Sequence, residues 1–319
     1  MTATGITIFR IDGGKVVESW TSIDLNPSEE EVQWAAEGSG WARSGEIPAT
    51  EGDLTSPMIW DVLTRNFTWR FQVAEARERE RIEQELRIAR YIQHALLPEA
   101  APELDGWELT SYYQPAREVG GDFYDFLHLS DGRLGLVVRG ATGKGMPAAL
   151  VMATTRGMLR AATEPLDSPG EVPTRVNNAL YPDIPSNMFV TCFYAIVDPR
   201  SASLTYANAG HDLPYLRRRS GGEPEELRAR GMPLGLLPSM SYEEKEVTLE
   251  AGDSALFYSD GLVEAHDPQG EMFGFPRLQT LVAGHTEERS LVDSLLEELY
   301  TFVEEDDITL LTLRRSASP

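Results

Sequence analysis

Three short acidic clusters lie in the last two thirds of this chain, each beside an apolar run typical of a β-strand. They read Val119-Gly-Gly-Asp122, Ser259-Asp260-Gly261 and Asp306-Asp307-Ile308-Thr309. Carboxylates at strand ends suit hard cations such as Mg²⁺ and Mn²⁺, which prefer oxygen ligands in octahedral geometry and retain several waters. Carboxylates from distant parts of the chain therefore predict a metal site.

The positions of two of these acids favour phosphoester hydrolysis, in which two cations about 3.5–4 Å apart activate a bridging water and neutralise phosphate oxygens. Asp260 is predicted to begin a tight turn after an apolar strand, and Asp306 stands just before another strand. Gly261 allows the backbone to approach an ion or a substrate closely. A single Asp-Gly or Asp-Asp pair is more often an ordinary turn, so the hypothesis depends on the ordered set of clusters.

Seven segments, taken together and in order, resemble the bacterial branch of the metal-dependent Ser/Thr protein phosphatases (the PPM family) that governs sporulation and stress sigma factors. The resemblance covers roughly residues 80–315, and seven ordered motifs are more specific than any one of them. The segments are VGGDFYDF at 119–126, TGKGMPAAL at 142–150, MFVTCFYAIVD at 188–198, NAGHDLP at 208–214, MPLGLLP at 232–238, FYSDGLVEA at 257–265 and DDITLLTLR at 306–314.

The resemblance implies a Mg²⁺- or Mn²⁺-dependent protein-serine/threonine phosphatase. By residue, it implies first-metal ligands at Asp260 and Asp306, an acid at Asp122 that orients metal-bound water, and a carbonyl ligand from Ala141 at the second metal. Whether Asp306 or its neighbour Asp307 is the ligand stays open. The implied substrate is a phosphorylated anti-sigma-factor antagonist or a similar phosphoprotein.

The chain departs from the resembled pattern at one critical point. Family members usually have Gly-Asp where this chain has Arg139-Gly140, and the missing Asp is the one that bridges both metals. Glycine has no side-chain oxygen, so we expect a weakened second metal site. Arg139 would either repel a cation or bind a phosphate through its fork of donors. The alternative hypothesis is a pseudophosphatase that binds a signalling partner without hydrolysis.

Composition excludes some classes of function. The chain has 319 residues, with 28 Lys and Arg against 51 Asp and Glu, and a formal charge of −23. This charge opposes non-specific binding to nucleic acid or anionic membranes. No membrane-spanning apolar window and no signal-peptide pattern are present, which predicts a cytoplasmic protein without nucleic-acid or membrane partners. The chain also shows no zinc-ligand pairing of histidines, and His211 is expected to be a hydrogen-bonded structural residue rather than a catalytic acid.

Three regions are predicted along the chain: an N-terminal hairpin and linker at 1–56, a regulatory helix at 57–98, and a phosphatase domain at 99–319. The string ITIFRIDGGKVVESW predicts the hairpin and resembles the closing hairpin of SnoaL-like polyketide-cyclase domains, which would make it a remnant. A lone hairpin is marginal in water, so it must pack on the chain, pair with another copy or belong to a truncated domain.

Residues 60–97 have helical periodicity that ends at Pro98. Ile82, Leu86, Ala89 and Leu96 form an apolar seam that Gln93 interrupts. The pattern fits either a solvated linker helix or a short coiled coil that joins two protomers through residues 71–97 and relays a signal. Two heptads do not decide between these alternatives, because sustained repeats are the usual criterion.

The phosphatase region is predicted to be α+β, because its strands and helices alternate without βαβ regularity. The resemblance implies two stacked antiparallel sheets with helices on both outer faces. Strands are predicted at 107–113, 123–129, 134–138, 188–198, 203–208, 244–249, 254–259 and 308–314, and helices at 147–162, 170–180, 275–283 and 289–303.

Overall fold

The computed structural model describes residues 7–12, 15–21, 57–163, 168–286, 289–303 and 305–316. The chain divides into two compact units, residues 1–73 and 74–319. In the first unit, β1 (Thr7–Asp12) and β2 (Lys15–Thr21) pair as an antiparallel hairpin with an irregularity between Arg10 and Ile11. The predicted hairpin is therefore present, whereas the predicted linker at 25–56 lies outside the described residues.

The predicted helix is α1, Pro57–Leu96, and it ends shortly before Pro98, as expected from the missing N–H of proline. Among the described residues, no helix has the length and the apolar character that crossing a membrane requires.

Two five-stranded antiparallel sheets form the second unit, which confirms the predicted α+β class. The first sheet has the order β10-β7-β6-β5-β4, and the second has the order β3-β12-β11-β8-β9. The strands of the first sheet are β4 (Phe123–His128), β5 (Leu134–Ala141), β6 (Val190–Asp198), β7 (Ser203–Ala209) and β10 (Lys245–Thr248). Those of the second are β3 (Trp107–Gln114), β8 (Tyr215–Arg217), β9 (Glu225–Glu226), β11 (Ser254–Tyr258) and β12 (Ile308–Arg315).

Helices cover the outer faces of both sheets. They are α2 (Met146–Thr163), α3 (Glu171–Leu180), α4 (Asp260–Glu264), α5 (Gly274–Gly284) and α6 (Leu291–Leu299). One buried cluster fills the space between the sheets, a second joins the first sheet to α2 and α3, and a third joins the second sheet to α4, α5 and α6. These layers agree with the two-sheet sandwich that the motifs implied.

Strand β5 shows how the sequence builds these layers. Successive side chains of a strand point to opposite faces. Leu136 and Val138 accordingly lie in the cluster between the sheets, whereas Val137 lies in the cluster under α2 and α3. By the same alternation Arg139 faces the helices and Gly140 faces the space between the sheets.

The topology brings the predicted site residues to one end of the sandwich. Residues 120–122 precede β4 and residues 142–145 follow β5, its hairpin partner. Residues 259–260 follow β11 and residues 306–307 precede β12, which pairs with β11. Paired antiparallel strands place the end of one beside the start of the next, so the segments meet two by two, one pair in each sheet. Hydrogen bonds from the N–H groups of residues 121 and 122 to the Asp307 carboxylate join the two pairs.

Candidate active site

Asp307 fastens the loop that carries Asp122. Its Oδ1 accepts a hydrogen bond from the Ala116 N–H at 2.9 Å, and its Oδ2 accepts bonds from the N–H groups of Gly121 at 2.6 Å and Asp122 at 3.2 Å. Three backbone donors therefore occupy this carboxylate. Asp307 has the contacts of a structural residue that joins the Gly120–Asp122 loop to the start of β12.

Two glycines of the acidic motifs are required by close packing around Asp307. A Cβ at Gly120 would lie 2.3 Å from the Asp307 Oδ2 and 2.4 Å from the Tyr113 hydroxyl oxygen. A Cβ at Gly261 would lie 2.2 Å from the Asp307 carbonyl oxygen. Any side chain at either position would force the motifs apart.

Asp306 has a different environment, and this separates the two neighbouring acids. Its Oδ2 lies 3.0 Å from the Lys144 Nζ, and its Oδ1 accepts a bond from the Asp307 N–H at 2.8 Å. The Asp306 side chain is partly exposed, whereas Asp307 is buried. These contacts favour Asp306 over Asp307 as the metal ligand.

Asp122 and Asp260 each lie near other carboxylates, which add to the rise that burial causes in the pKa of both side chains. Burial raises the pKa of Asp122 well above its usual range, and the carboxylates of Asp307 and Asp260 raise it further. Burial also raises the pKa of Asp260 to about 6, with further contributions from Asp306 and Asp212. Carboxylates that disfavour one another's ionisation attract a cation, because the cation offsets their mutual repulsion.

The position of Asp260 in the site is set through its neighbour Ser259. It is the first residue of α4, directly after β11, so the predicted tight turn is in fact the start of a short helix. The Ser259 hydroxyl donates to the Asp307 carbonyl at 3.0 Å and accepts from the Thr309 N–H at 2.9 Å. The Thr309 hydroxyl also lies 3.4 Å from the Asp122 Oδ2. Ser259 and Thr309 thus link the three acidic clusters, and sequence reasoning assigned them no role.

Gly140 faces Asp122 directly. A Cβ at residue 140 would lie 2.7 Å from the Asp122 Oδ1 and 3.5 Å from the Thr191 hydroxyl oxygen. The predicted carbonyl ligand, Ala141, donates its N–H to the Gly121 carbonyl at 3.2 Å, so it borders the same loop. The position where the resembled proteins carry an acid is therefore at the site, and here it has no side-chain oxygen.

Both the sequence and the fold are similar to those of known proteins. A family model described as stage II sporulation protein E (SpoIIE) matches residues 130–316. The phosphoserine phosphatase RsbU of Bacillus subtilis is 30% identical over 242 residues, which cover 74% of this chain and 71% of RsbU. The chain belongs to the SpoIIE family.

Two further similarities support the fold of this SpoIIE-family chain. Protein IcfG of Synechocystis is 29% identical over 265 residues, which cover 73% of this chain but only 42% of IcfG. The SiaA-PP2C domain of Pseudomonas aeruginosa superposes with a TM-score of 0.65 at 24% identity, covering 74% of this chain and 98% of that domain. The SpoIIE-family chain thus has the PP2C phosphatase fold.

The sequence led us to expect that Arg139 either repels a cation or binds a phosphate, but its side chain lies on the other face of β5. The side chain is fully buried beneath α2, with its guanidinium 4.2 Å from the centre of the Phe123 ring and its Nη2 donating to the Met152 carbonyl. Burial lowers its pKa to about 9, and its Nε and Nη1 have no hydrogen-bond partner. In this SpoIIE-family chain the Arg139 guanidinium therefore lies beneath α2 and not in the space between the sheets that Gly140 faces.

His211 belongs to a buried hydrogen-bond network beside the site. Its backbone N–H donates to the Asn208 Oδ1 at 2.7 Å, and the Asn208 Nδ2 donates to the His211 carbonyl at 2.9 Å. The His211 Nδ1 lies 3.1 Å from the Thr191 hydroxyl oxygen, which also contacts the backbone of Gly140. Burial lowers the pKa of His211 to about 4, so the imidazole is neutral at neutral pH, in line with the predicted structural role.

Gln93 on α1 connects the helix to the site, although the sequence indicated only an interruption of an apolar seam. Its Nε2 donates to the Gly120 carbonyl at 2.6 Å, and its Oε1 accepts the Gly120 N–H at 3.0 Å. Leu86, Ala89 and Leu96 share this face of the helix and are half-buried. These three residues of the predicted dimer seam therefore face the helix's own domain, whereas the fourth, Ile82, is 46% exposed.

The acids at this end of the sandwich are the side chains that could hold a hard cation. Within the described ranges, no group of three or more His, Cys, Asp or Glu side chains is already arranged around a metal position. Asp260 and Asp306 are close enough to raise the pKa of Asp260, but residue 140 offers no carboxylate to a second ion. Asp260 and Asp306 are therefore the carboxylates that could hold a cation, with Asp122 nearby, and residue 140 adds none.

Proposed function

We propose that this chain is a metal-dependent phosphoserine/phosphothreonine protein phosphatase of cytoplasmic partner-switching signalling. Its substrate would be a phosphorylated anti-sigma-factor antagonist or a similar phosphoprotein. The proposal is supported most by the meeting of Asp122, Asp260 and Asp306 at one end of a PP2C sandwich. It is also supported by 30% identity to a phosphoserine phosphatase, RsbU.

Each acid has a defined part in this proposal. Asp260 and Asp306 would hold a Mg²⁺ or Mn²⁺ ion. When bound, the ion would neutralise phosphate oxygens and polarise the phosphoester. Asp122 faces the same space and can accept a hydrogen bond from the attacking water. Its loop keeps this position through the three backbone donors to Asp307.

The second metal site would be weak. Ala141 can offer only a carbonyl oxygen, and Gly140 has no side-chain ligand, so water would supply most of the remaining coordination. The proposed enzyme is therefore slow relative to a two-metal phosphatase, because the missing ion would otherwise stabilise charge in the transition state.

A pseudophosphatase is the alternative, and Gly140 is the observation that favours it. The Asp122 Oδ1 stands 2.7 Å from the ideal Cβ position of residue 140, so it encroaches on the space that a bridging acid would use. In that case the acids would serve only to shape a surface that binds a signalling partner.

We also propose that the chain forms a homodimer through residues 71–97. Gln93 is hydrogen-bonded to Gly120, so most of the predicted seam faces the chain's own domain. Another stripe of α1 is exposed: Ile88 at 61%, Tyr91 at 77% and Ile92 at 56%. These residues recur at three- and four-residue steps, and soluble proteins tend to cover such stripes. A parallel contact between two α1 helices would do so.

The proposed activity is tested by phosphate release from a phosphoserine peptide, with Mn²⁺ and with EDTA. We expect slow release that needs the metal and that is lost in Asp260→Asn. Glu250→Gln, which removes an acid between β10 and β11, away from the acidic clusters, is the matched control and should retain the native rate. Release by native protein in EDTA would refute metal dependence, and absence of release at saturating Mn²⁺ would favour the pseudophosphatase.

A further inference from the structure

Lys144 makes two contacts with the segment that carries Asp306. Its Nζ lies 3.0 Å from the Asp306 Oδ2 and donates to the Glu305 carbonyl at 2.7 Å. Among the ion pairs of the described residues, this is the only one that involves Asp122, Asp260, Asp306 or Asp307. The Lys144 ammonium is thus the direct counter-charge of the acidic site.

The loop of Lys144 holds the ammonium in this position. Gly143 and Gly145 flank it with φ angles of +89° and +74°, a region that side chains other than glycine rarely adopt. Thr142 anchors the base of the loop, because its hydroxyl donates to the Phe189 carbonyl at 2.8 Å and accepts the Phe189 N–H at 2.7 Å. The lysine therefore bridges the end of β5 and the start of β12.

A cation would need the oxygen that Lys144 occupies. The Asp306 Oδ1 already accepts the Asp307 N–H at 2.8 Å, which leaves Oδ2 as the oxygen with more capacity for a metal, and this is the atom that faces the ammonium. A dication and an ammonium at one carboxylate oxygen repel each other strongly at short range.

We propose that Lys144 is a built-in competitor of the metal ion, which leaves Asp306 when the cation binds. Metal binding would then break the bridge between the loop 142–145 and the start of β12. The affinity of the site for the metal is set partly by this lysine. The inference rests on the proposed metal site but requires no hydrolysis.

Calorimetric titration of the full chain with MnCl₂ tests the competition. Lys144→Met should bind Mn²⁺ about tenfold more tightly than the native chain. A positive charge near a dication costs on the order of 1–2 kcal/mol of binding free energy even at high dielectric. Lys144→Arg, which keeps the charge, should bind like the native chain. Lys245→Met is the matched control, since Lys245 is also partly exposed and pairs with Glu243 at 3.0 Å.

Unchanged or weaker Mn²⁺ affinity in Lys144→Met would overturn the proposal. It would also be overturned if none of these proteins bound Mn²⁺. Thermal unfolding in EDTA confirms that each variant is folded, and Lys144→Gln replaces Lys144→Met if the latter is not. Mn²⁺ binding with the expected order of affinities but without phosphate release would support the competition and refute only the phosphatase function.

Chemical labelling gives a second readout of the release of Lys144. Acetylation by a limiting reagent, followed by peptide mass spectrometry, should rise severalfold at Lys144 when Mn²⁺ saturates the native chain. Labelling of Lys245 should not change. Equal labelling of Lys144 with and without Mn²⁺ would contradict its displacement.

Discussion

Substitution of Gly140 by Asp should convert the one-cation site into a two-cation site. The backbone at residue 140 permits a side chain, since its φ angle is not among the positive values recorded for glycines of the described residues. The new Cβ would lie 2.7 Å from the Asp122 Oδ1, whereas ordinary contacts begin at 3.4 Å. The Asp122 carboxylate must therefore move by about 0.7 Å, which a turn of its side chain can provide.

The expected gain in rate comes from the positive charge of the second cation. A second cation commonly contributes several kcal/mol of transition-state stabilisation, and a gain of about 2.7 kcal/mol corresponds to about a hundredfold in rate. Without metal, the added carboxylate joins three acids at the site, so the metal-free variant should unfold at a lower temperature than the native chain. Mn²⁺ should reverse this loss, because it binds the folded state.

Phosphate release from a phosphoserine peptide at saturating Mn²⁺ is the assay, accompanied by calorimetry of the Mn²⁺ stoichiometry. Gly140→Asp should exceed the native rate by roughly a hundredfold. Gly140→Asn, of the same size but without charge, should not. Equal rates for the native chain and Gly140→Asp would refute the reasoning: if both are active, another residue supplies the ligand, and if both are inactive, the defect extends beyond this side chain.

Four further predictions follow from other parts of the molecule. Asp260→Asn should abolish Mn²⁺ binding in calorimetry while cooperative unfolding persists, because the Asp260 side chain is not part of the apolar core. Ile88→Asp with Ile92→Asp should yield a monomer in analytical sedimentation. Arg139→Met should raise the free energy of unfolding by about 1–3 kcal/mol in denaturant titration, since it removes a buried charge that has no carboxylate partner. The pKa of about 4 for buried His211 predicts a loss of about 3 kcal/mol of stability as pH falls from 6.5 to 4, where only the unfolded chain takes up the proton.

Each of these predictions has an outcome that contradicts it. Loss of cooperative unfolding in Asp260→Asn would show a structural role, and a native chain that sediments as a monomer at high concentration would refute the dimer. A less stable Arg139→Met would mean that the stacking on Phe123 outweighs the cost of burying the charge. For His211, the His211→Gln variant should lose the pH-dependent slope between pH 6.5 and 4, and an unchanged slope would assign it to other groups.

The individual strands and the end of α1 could be predicted because their signals are local, whereas the two-sheet sandwich was implied by the resemblance. Continuous apolar runs indicated the long strands, as in β5, and Pro98 indicated the end of α1. Strands β8 and β9 were missed because they are three and two residues long, too short to show a period. The start of α4 at Asp260 was predicted as a turn for the same reason, since five helical residues leave little periodicity.

The chemistry of the site was predictable only in part, because its decisive contacts join residues far apart in sequence. The motifs indicated the acids, but the three backbone donors to Asp307 come from residues 185 to 191 positions away. The direction of the Arg139 side chain depends on the register of β5 with β4, which pairs it with Phe123. The sequence alone placed its charge at the site, and the register places it beneath α2.

Calorimetric titration of the native chain with Mn²⁺, beside Asp260→Asn, tests the central claim most directly. The claim is that Asp260 and Asp306 hold one cation while Gly140 leaves a second position without a carboxylate. The account predicts one tight Mn²⁺ per chain for the native protein and none for Asp260→Asn. Two tight sites in the native chain, or an unchanged tight site in Asp260→Asn, would contradict it.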